Sequence, residues 1–293
     1  MKEKFKGTIY ILLATVIWGS AFIAQSVGMD YIGPFTFQAV RCALGAAFLF
    51  PLSWLMEGKK SQFKANWANK RLWKTGCLAG LALFLAAGLQ QVGLQYTTAG
   101  KAGFLTAMYI VLVPILGIFL GQKPAANILI SVILAAVGLY LLSGTGISSI
   151  NAGDWMLIGC AFWFAVQITI IDRFGQCLDG VRLSCIQSLV CAALSALVML
   201  FTEEPNLTNI LTCWLPLGYA GILSMGIAYT LQILGQQRLE PAPASLLMSL
   251  ESVFALIFGW LILRERLSPG ELLGCLTMFC AVILSQIPKK SPA

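Results

Sequence analysis

Few side chains in this sequence could do chemistry, and several of them stand where charge is costly. Arg41, Lys101 and Glu251 fall inside or at the edge of long apolar runs. An ionisable group at the centre of a membrane helix costs about 3 kcal/mol, so each is a functional candidate unless it snorkels to an interface. Lys101 begins its run at the outer edge, where snorkelling accounts for it equally well. Arg41 stands deeper. Glu251 lies near the middle of its run, where the choice is between facing a wet cavity and making a buried helix-packing hydrogen bond. Burial opposes the charged carboxylate and a nearby Arg41 supports it, so whether Glu251 carries a coupling proton turns on whether the two share a cavity.

A polar and aromatic set surrounds these charges at helical spacing. Trp18, Phe22 and Gln25 recur at i, i+4 and i+7, which is one face of a helix. Trp163 and Gln167 repeat the i, i+4 step, and Tyr229, Gln232 and Gln236 form a third such row. Amides donate and accept, while rings bind cations and apolar groups, a combination suited to amphipathic or zwitterionic solutes. The plainer alternative is interhelical hydrogen bonding with aromatics at the interface. With Gln90, the repeat mate of Gln232, the candidate substrate-binding set is Trp18, Phe22, Gln25, Arg41, Gln90, Trp163, Gln167, Tyr229, Gln232 and Glu251.

Other chemistry is excluded. The chain has no histidine, no C-x-x-C and no G-x-S-x-G, which leaves no zinc or haem site, no cofactor site and no nucleophile constellation for an enzyme. A phosphate-binding G-x-x-x-x-G-K-[ST] loop is also absent. Seven of the nine cysteines, among them Cys42, Cys160 and Cys191, fall within apolar runs and read as small apolar side chains.

The elements that must position these residues follow from composition. Of 293 residues 58% are hydrophobic and 11% charged, with mean hydropathy +0.84; a soluble domain carries about 25% charged residues. The apolar runs approach the ~20 residues needed to cross a bilayer, and helices satisfy their own backbone there. Ten spans are expected at 7–27, 34–55, 75–95, 99–120, 127–144, 154–173, 182–201, 214–236, 242–263 and 269–287. The first reads as a retained helix, being too long for a signal h-region. With the N-terminus inside, 15 of the 19 Lys and Arg residues face the cytoplasm, including Lys59, Lys60, Lys64, Lys70, Arg71 and Lys74 in one short loop. The net charge of +7 thus reports topology and lipid contact; no nucleic-acid partner is expected.

The sequence repeats itself. An offset of 142 lays residues 76–117 on 218–259 with twelve identities, among them Gln90/Gln232 and Gln95/Gln237. At offset 145 Trp18 meets Trp163 and Pro124 meets Pro269. Each repeat, 7–144 and 154–287, then holds five spans. An odd number makes the second copy enter the membrane from the opposite side, as in many secondary transporters.

The run Ala14-Thr-Val-Ile-Trp18-Gly-Ser-Ala-Phe22 in the first span, Leu250-Glu251-Ser-Val-Phe254 leading to Gly259-Trp260, and Arg264-Glu265-Arg266-Leu267 before Pro269 carry a resemblance. The chain resembles the EamA family of the drug/metabolite transporter superfamily over about residues 7–287. It departs from that pattern at Ser252, where members often have Pro, and at Gln122-Lys123-Pro124, where an acidic turn is common. The resemblance implies an all-α integral membrane protein of ten transmembrane helices in two inverted five-helix EamA repeats. It further implies a secondary transporter or exporter of metabolites, amino acids or drug-like compounds at the cytoplasmic membrane. A channel-like facilitator, or a non-transporting sensor or scaffold, stands as the alternative.

Overall fold

The computed structural model describes residues 2–56, 60–97, 99–142, 151–263 and 268–287. The Arg264–Leu267 motif, Lys59, Lys289 and Lys290 lie outside the described residues, as does the Lys101 side chain. Among the described residues every regular element is helical. The first repeat contains α1 (Lys2–Met29), α2 (Pro34–Leu55), α3 (Lys60–Trp67), α4 (Lys70–Gly93), α5 (Ala99–Ala107), α6 (Tyr109–Phe119) and α7 (Ala126–Leu142). The second contains α8 (Ala152–Phe174), α9 (Gly180–Thr202), α10 (Leu207–Thr212), α11 (Trp214–Gly218), a π-helical stretch Tyr219–Ala228, α12 (Tyr229–Gln236), α13 (Pro241–Met248), α14 (Glu251–Leu263) and α15 (Pro269–Gln286). Eight segments are long and apolar enough to cross a membrane, and the shorter apolar helices α7 and α15 complete ten. The chain is a multi-pass membrane protein.

Four features depart from the expected spans. The third begins at Lys70, so Lys70, Arg71 and Lys74 ride on α4, whose N-terminus Asn69 caps through the Arg71 and Leu72 amides. The loop before it contains α3, whose Phe63 and Trp67 rings pack with Phe50 and Trp73. The fourth span breaks at Met108 and the ninth at Ser249–Leu250. At both breaks the backbone tightens to i, i+3 bonds, Val111 N to Met108 O at 3.0 Å and Ser252 N to Ser249 O at 3.2 Å. The eighth span carries the π stretch, which sequence periodicity does not register.

Packing obeys the repeat. α2 and α9, the second spans of their halves, pack on each other, as do the fifth spans α7 and α15. First spans pack on third spans across the halves, α1 on the π stretch and α12, α8 on α4. First spans also meet the broken fourth spans, α1 on α14 and α8 on α5 and α6. Exchanging the halves therefore leaves the pattern unchanged. Small residues permit the approach: a Cβ on Gly19 of α1 would lie 2.5 Å from Phe254 Cβ of α14.

Two links bind the halves at opposite ends. Gly33 gives α2 no side-chain cap. Glu203, at the end of α9, supplies one: Phe35 N donates to its Oε1 at 2.8 Å, and Thr36 N and Oγ1 donate to its Oε2 at 2.9 and 2.6 Å. At the other end Glu3 of α1 pairs with Arg238, which follows α12, at 3.1 Å.

Candidate functional site

Where the halves meet, a partly open cavity of about 40 Å³ is lined by Trp18, Phe22, Gln25, Arg41, Gln90, Tyr109, Phe164, Ile168, Ser224, Tyr229, Gln232, Met248 and Glu251. All but Trp18 and Phe164 are buried. The wall draws on α1, α2, α4, α6, α8, the π stretch, α12, α13 and α14, so neither half forms it alone.

Several polar wall residues are held by specific neighbours. Arg41 Nη1 donates to Gln25 Oε1 at 2.7 Å, and the guanidinium stands 5.6 Å from the Phe37 ring centre. Arg41 Nε is buried without a protein partner. Gln90 Nε2 donates to Thr106 Oγ1 at 3.3 Å. The Trp18 and Tyr229 rings meet edge to face at 5.0 Å, and Trp18 Nε1 is unpartnered. Glu251 accepts from the Tyr109 hydroxyl at 3.0 Å. The backbone freed at the ninth-span break is served elsewhere: Ser249 Oγ donates to Leu246 O at 2.8 Å, while Ser252 Oγ donates to Gly103 O of the other broken span at 2.9 Å. Serine at 252 thus stitches the two breaks together, a bond that proline could not make.

The cavity holds one guanidinium and one carboxylate, Arg41 and Glu251 exposed by 3% and 7%, and they make no ion pair with each other among the described residues.

Of the residues selected from sequence, Trp18, Phe22, Gln25, Arg41, Gln90, Tyr229, Gln232 and Glu251 are brought together on this wall. Trp163 and Gln167 are not. Trp163 packs on Phe162, 5.5 Å between ring centres, and its neighbour Phe164 takes the wall position. The cause is register: one residue turns a helix by about 100°, and the offset of 145 that aligns the two tryptophans sets the wrong face. At offset 142 Phe22 falls on Phe164 and Gln25 on Gln167. Gln167 sits one layer back. It accepts from Gln232 Nε2 at 3.1 Å and donates to Gln187 Oε1 at 3.2 Å, fixing the Gln232 amide from behind.

Tyr109, Phe164, Ile168, Ser224 and Met248 complete the wall without having been selected. Two of them were readable from the same offset, since Phe164 is the mate of Phe22 and Tyr109 the mate of Glu251. Tyr109 and Glu251 bond each other, so the axis relating the halves passes close to that pair. Ile168 and Met248 carry no polar signal, and Ser224 depends on the π stretch.

Comparison with known proteins agrees with this architecture. The sequence profile described as the EamA-like transporter family matches residues 5–144 and again 151–286. An uncharacterized transporter of Archaeoglobus fulgidus is 33% identical over 278 residues, covering 94% of this chain and 83% of its own. The uncharacterized transporter YoaV of Bacillus subtilis is 24% identical over 282 residues, 94% of each chain. A solved crystal structure shares the fold, with a TM-score of 0.78, 19% identity and 96% of each chain covered. Two profile matches spanning nearly the whole chain, one on each half of the cavity wall, settle the relationship: this protein belongs to the EamA-like transporter family.

Proposed function

We propose that the chain is a secondary carrier that moves small amphipathic or zwitterionic solutes across the cytoplasmic membrane by alternating access, with both termini in the cytoplasm. Amino acids, other small metabolites and drug-like compounds with separated charges fit this class. One observation carries the reading. The cavity is lined from both repeats and has Arg41 and Glu251 on its wall with no ion pair between them among the described residues. A zwitterion offers its carboxylate to Arg41 and its ammonium to Glu251, with the Trp18 and Tyr229 rings available for the cation or an apolar side chain. The substrate-binding set is therefore Trp18, Phe22, Gln25, Arg41, Gln90, Tyr229, Gln232 and Glu251, with Trp163 and Gln167 acting at most from behind the wall.

The repeat supplies the mechanics. Halves that exchange roles convert an inward-open form into an outward-open one at similar energy. The chain has no nucleotide-binding loop of its own, so ATP-driven transport would need a partner chain; a carrier acting alone draws on a solute or proton gradient, and in a proton-coupled form Glu251 is the candidate proton site. The reading includes no enzymatic step. Reconstitution into liposomes, with counterflow of labelled solutes chosen by comparing metabolites of overexpressing and deletion cells, tests it. Saturable counterflow is expected; unsaturable flux marks a channel, and binding without flux marks a sensor.

A further inference from the structure

Cys42 and Cys191 do more than fill space. Their sulfurs stand 3.4 Å apart, one on α2 and one on α9, and both side chains are fully buried. The hydrogen bonds described for the other cysteines run to hydroxyl or backbone oxygen, as from Cys185 Sγ to Ala46 O at 3.5 Å and Cys213 Sγ to Gly28 O at 3.8 Å. Gln38 Nε2 reaches Cys191 Sγ at 3.4 Å, giving that sulfur a donor. Cys42 directly follows Arg41, and the thiols share a packed cluster with Tyr229, Met225 and Leu83. The pair therefore sits immediately behind the cavity wall, at the contact between the second spans of the two halves.

We propose that Cys42 and Cys191 are an oxidisable pair that closes to a disulfide under a small hydroperoxide and ties the two halves together behind the cavity. The geometry needs little change: a disulfide has its sulfurs about 2.05 Å apart, so the sulfurs approach by roughly 1.4 Å, within reach of side-chain rotation. One thiol, giving up its proton in the step, attacks a peroxide oxygen to give a sulfenic acid and one water; the second thiol then attacks the sulfenic sulfur, whose hydroxyl leaves with that thiol's proton as the second water. The two thiols lose two hydrogens and two electrons in all, and hydrogen peroxide takes them up as two waters. Burial selects the reagent. Hydrogen peroxide is small and uncharged, whereas a bulky maleimide meets the exposed Cys77, Cys177 and Cys280 first.

The full chain in liposomes is first blocked with maleimide, then exposed to hydrogen peroxide, unfolded and mapped by mass spectrometry without reductant. A Cys42–Cys191 linked peptide that dithiothreitol splits is expected, and it disappears in both Cys42→Ser and Cys191→Ser chains. Cys42 and Cys191 remaining alkylatable after peroxide, oxidising singly, or pairing with other cysteines overturns the proposal. If a serine variant fails to accumulate, the alanine variant and the native chain's own map decide. The consequence for transport rests on the carrier reading: the oxidised chain loses its counterflow, and reductant restores it. A loss that persists in Cys42→Ser, or a linked chain with full counterflow, overturns the arrest. Counterflow absent from the reduced native chain refutes the carrier reading instead, and the peptide map still decides the cross-link.

Discussion

Replacing Glu203 tests whether one carboxylate holds the ends of α2 and α9 together. Its oxygens take three hydrogen bonds from the first turn of α2, and that turn has no side-chain cap of its own. A hydrogen bond to a charged group contributes about 1.5–3 kcal/mol, and an anion at a helix N-terminus adds about 0.3–1 kcal/mol. Glu203 is half-buried, so water recovers part of what its removal exposes. For Glu203→Ala we therefore expect a loss of about 3 kcal/mol rather than the sum of the bonds.

Glu203→Gln keeps the shape. Its amide oxygen can serve Thr36, but the NH₂ group then faces the Phe35 N–H. One bond and the charge are lost, about 1.5–2 kcal/mol. Thr36→Val removes only the hydroxyl contact, about 1 kcal/mol. At roughly 2–4 °C per kcal/mol the alanine variant melts about 6–12 °C lower, with glutamine in between and valine least affected. Thermal unfolding of the purified chain in detergent, read by a thiol-reactive dye, gives the order. Equal melting of native and alanine chains refutes the cap. Thr36→Val as damaging as Glu203→Ala would put the weight on the hydroxyl instead.

Three further outcomes are expected. Reporter fusions after residues 65 and 123 should read cytoplasmic and those near 30 and 206 external, and residue 206 on the same side as 65 would break the inverted repeat. Alanine at Trp18, Gln25, Gln90, Tyr229 or Gln232 should lower counterflow at near-normal membrane levels, while Trp163→Ala should leave the solute's half-saturation unchanged; variants that vanish from the membrane would show packing roles. Glu251→Gln removes the titrating group and should abolish uphill uptake driven by a pH gradient while sparing downhill exchange, and indifference of the native chain to a pH gradient would return Glu251 to a structural role.

Helix number and the repeat were legible because hydropathy and matched glutamines are local signals. Eight of the ten selected residues reached the cavity, and for the polar ones the reason is related: polar groups in apolar helices turn inward. What stayed hidden was whatever depends on register or on another chain segment. The Trp18/Trp163 match looked sound, yet it chose a face one residue off. The π stretch at Tyr219–Ala228 hides in an apolar run whose composition differs little from that of an α-helix. The Glu203 cap joins positions about 170 residues apart in sequence, and neither Gly33-Pro34 nor Glu203 alone announces it.

The cavity keeps the symmetry of the fold in some pairs and breaks it in others. Phe22/Phe164 and Gln90/Gln232 are matched across the halves, so they give both sides of the cavity the same surface. Tyr109 and Glu251 occupy equivalent positions with unlike side chains, bonded to each other beside the axis. Arg41 likewise stands alone as a cation on the wall, while the second half answers its Gln25 bond with the neutral Gln167–Gln187 pair. Under the carrier reading, the frame would exchange its halves while the charges would give a bound solute one orientation. Because the axis runs near residues 109 and 251, exchanging their side chains moves the carboxylate by little. The double variant Tyr109→Glu with Glu251→Tyr should therefore keep more counterflow than Glu251→Tyr alone, in which the carboxylate is gone. If the double variant is no better than the single one, the carboxylate's side of the axis matters, and the near-symmetry of this pair does not extend to transport.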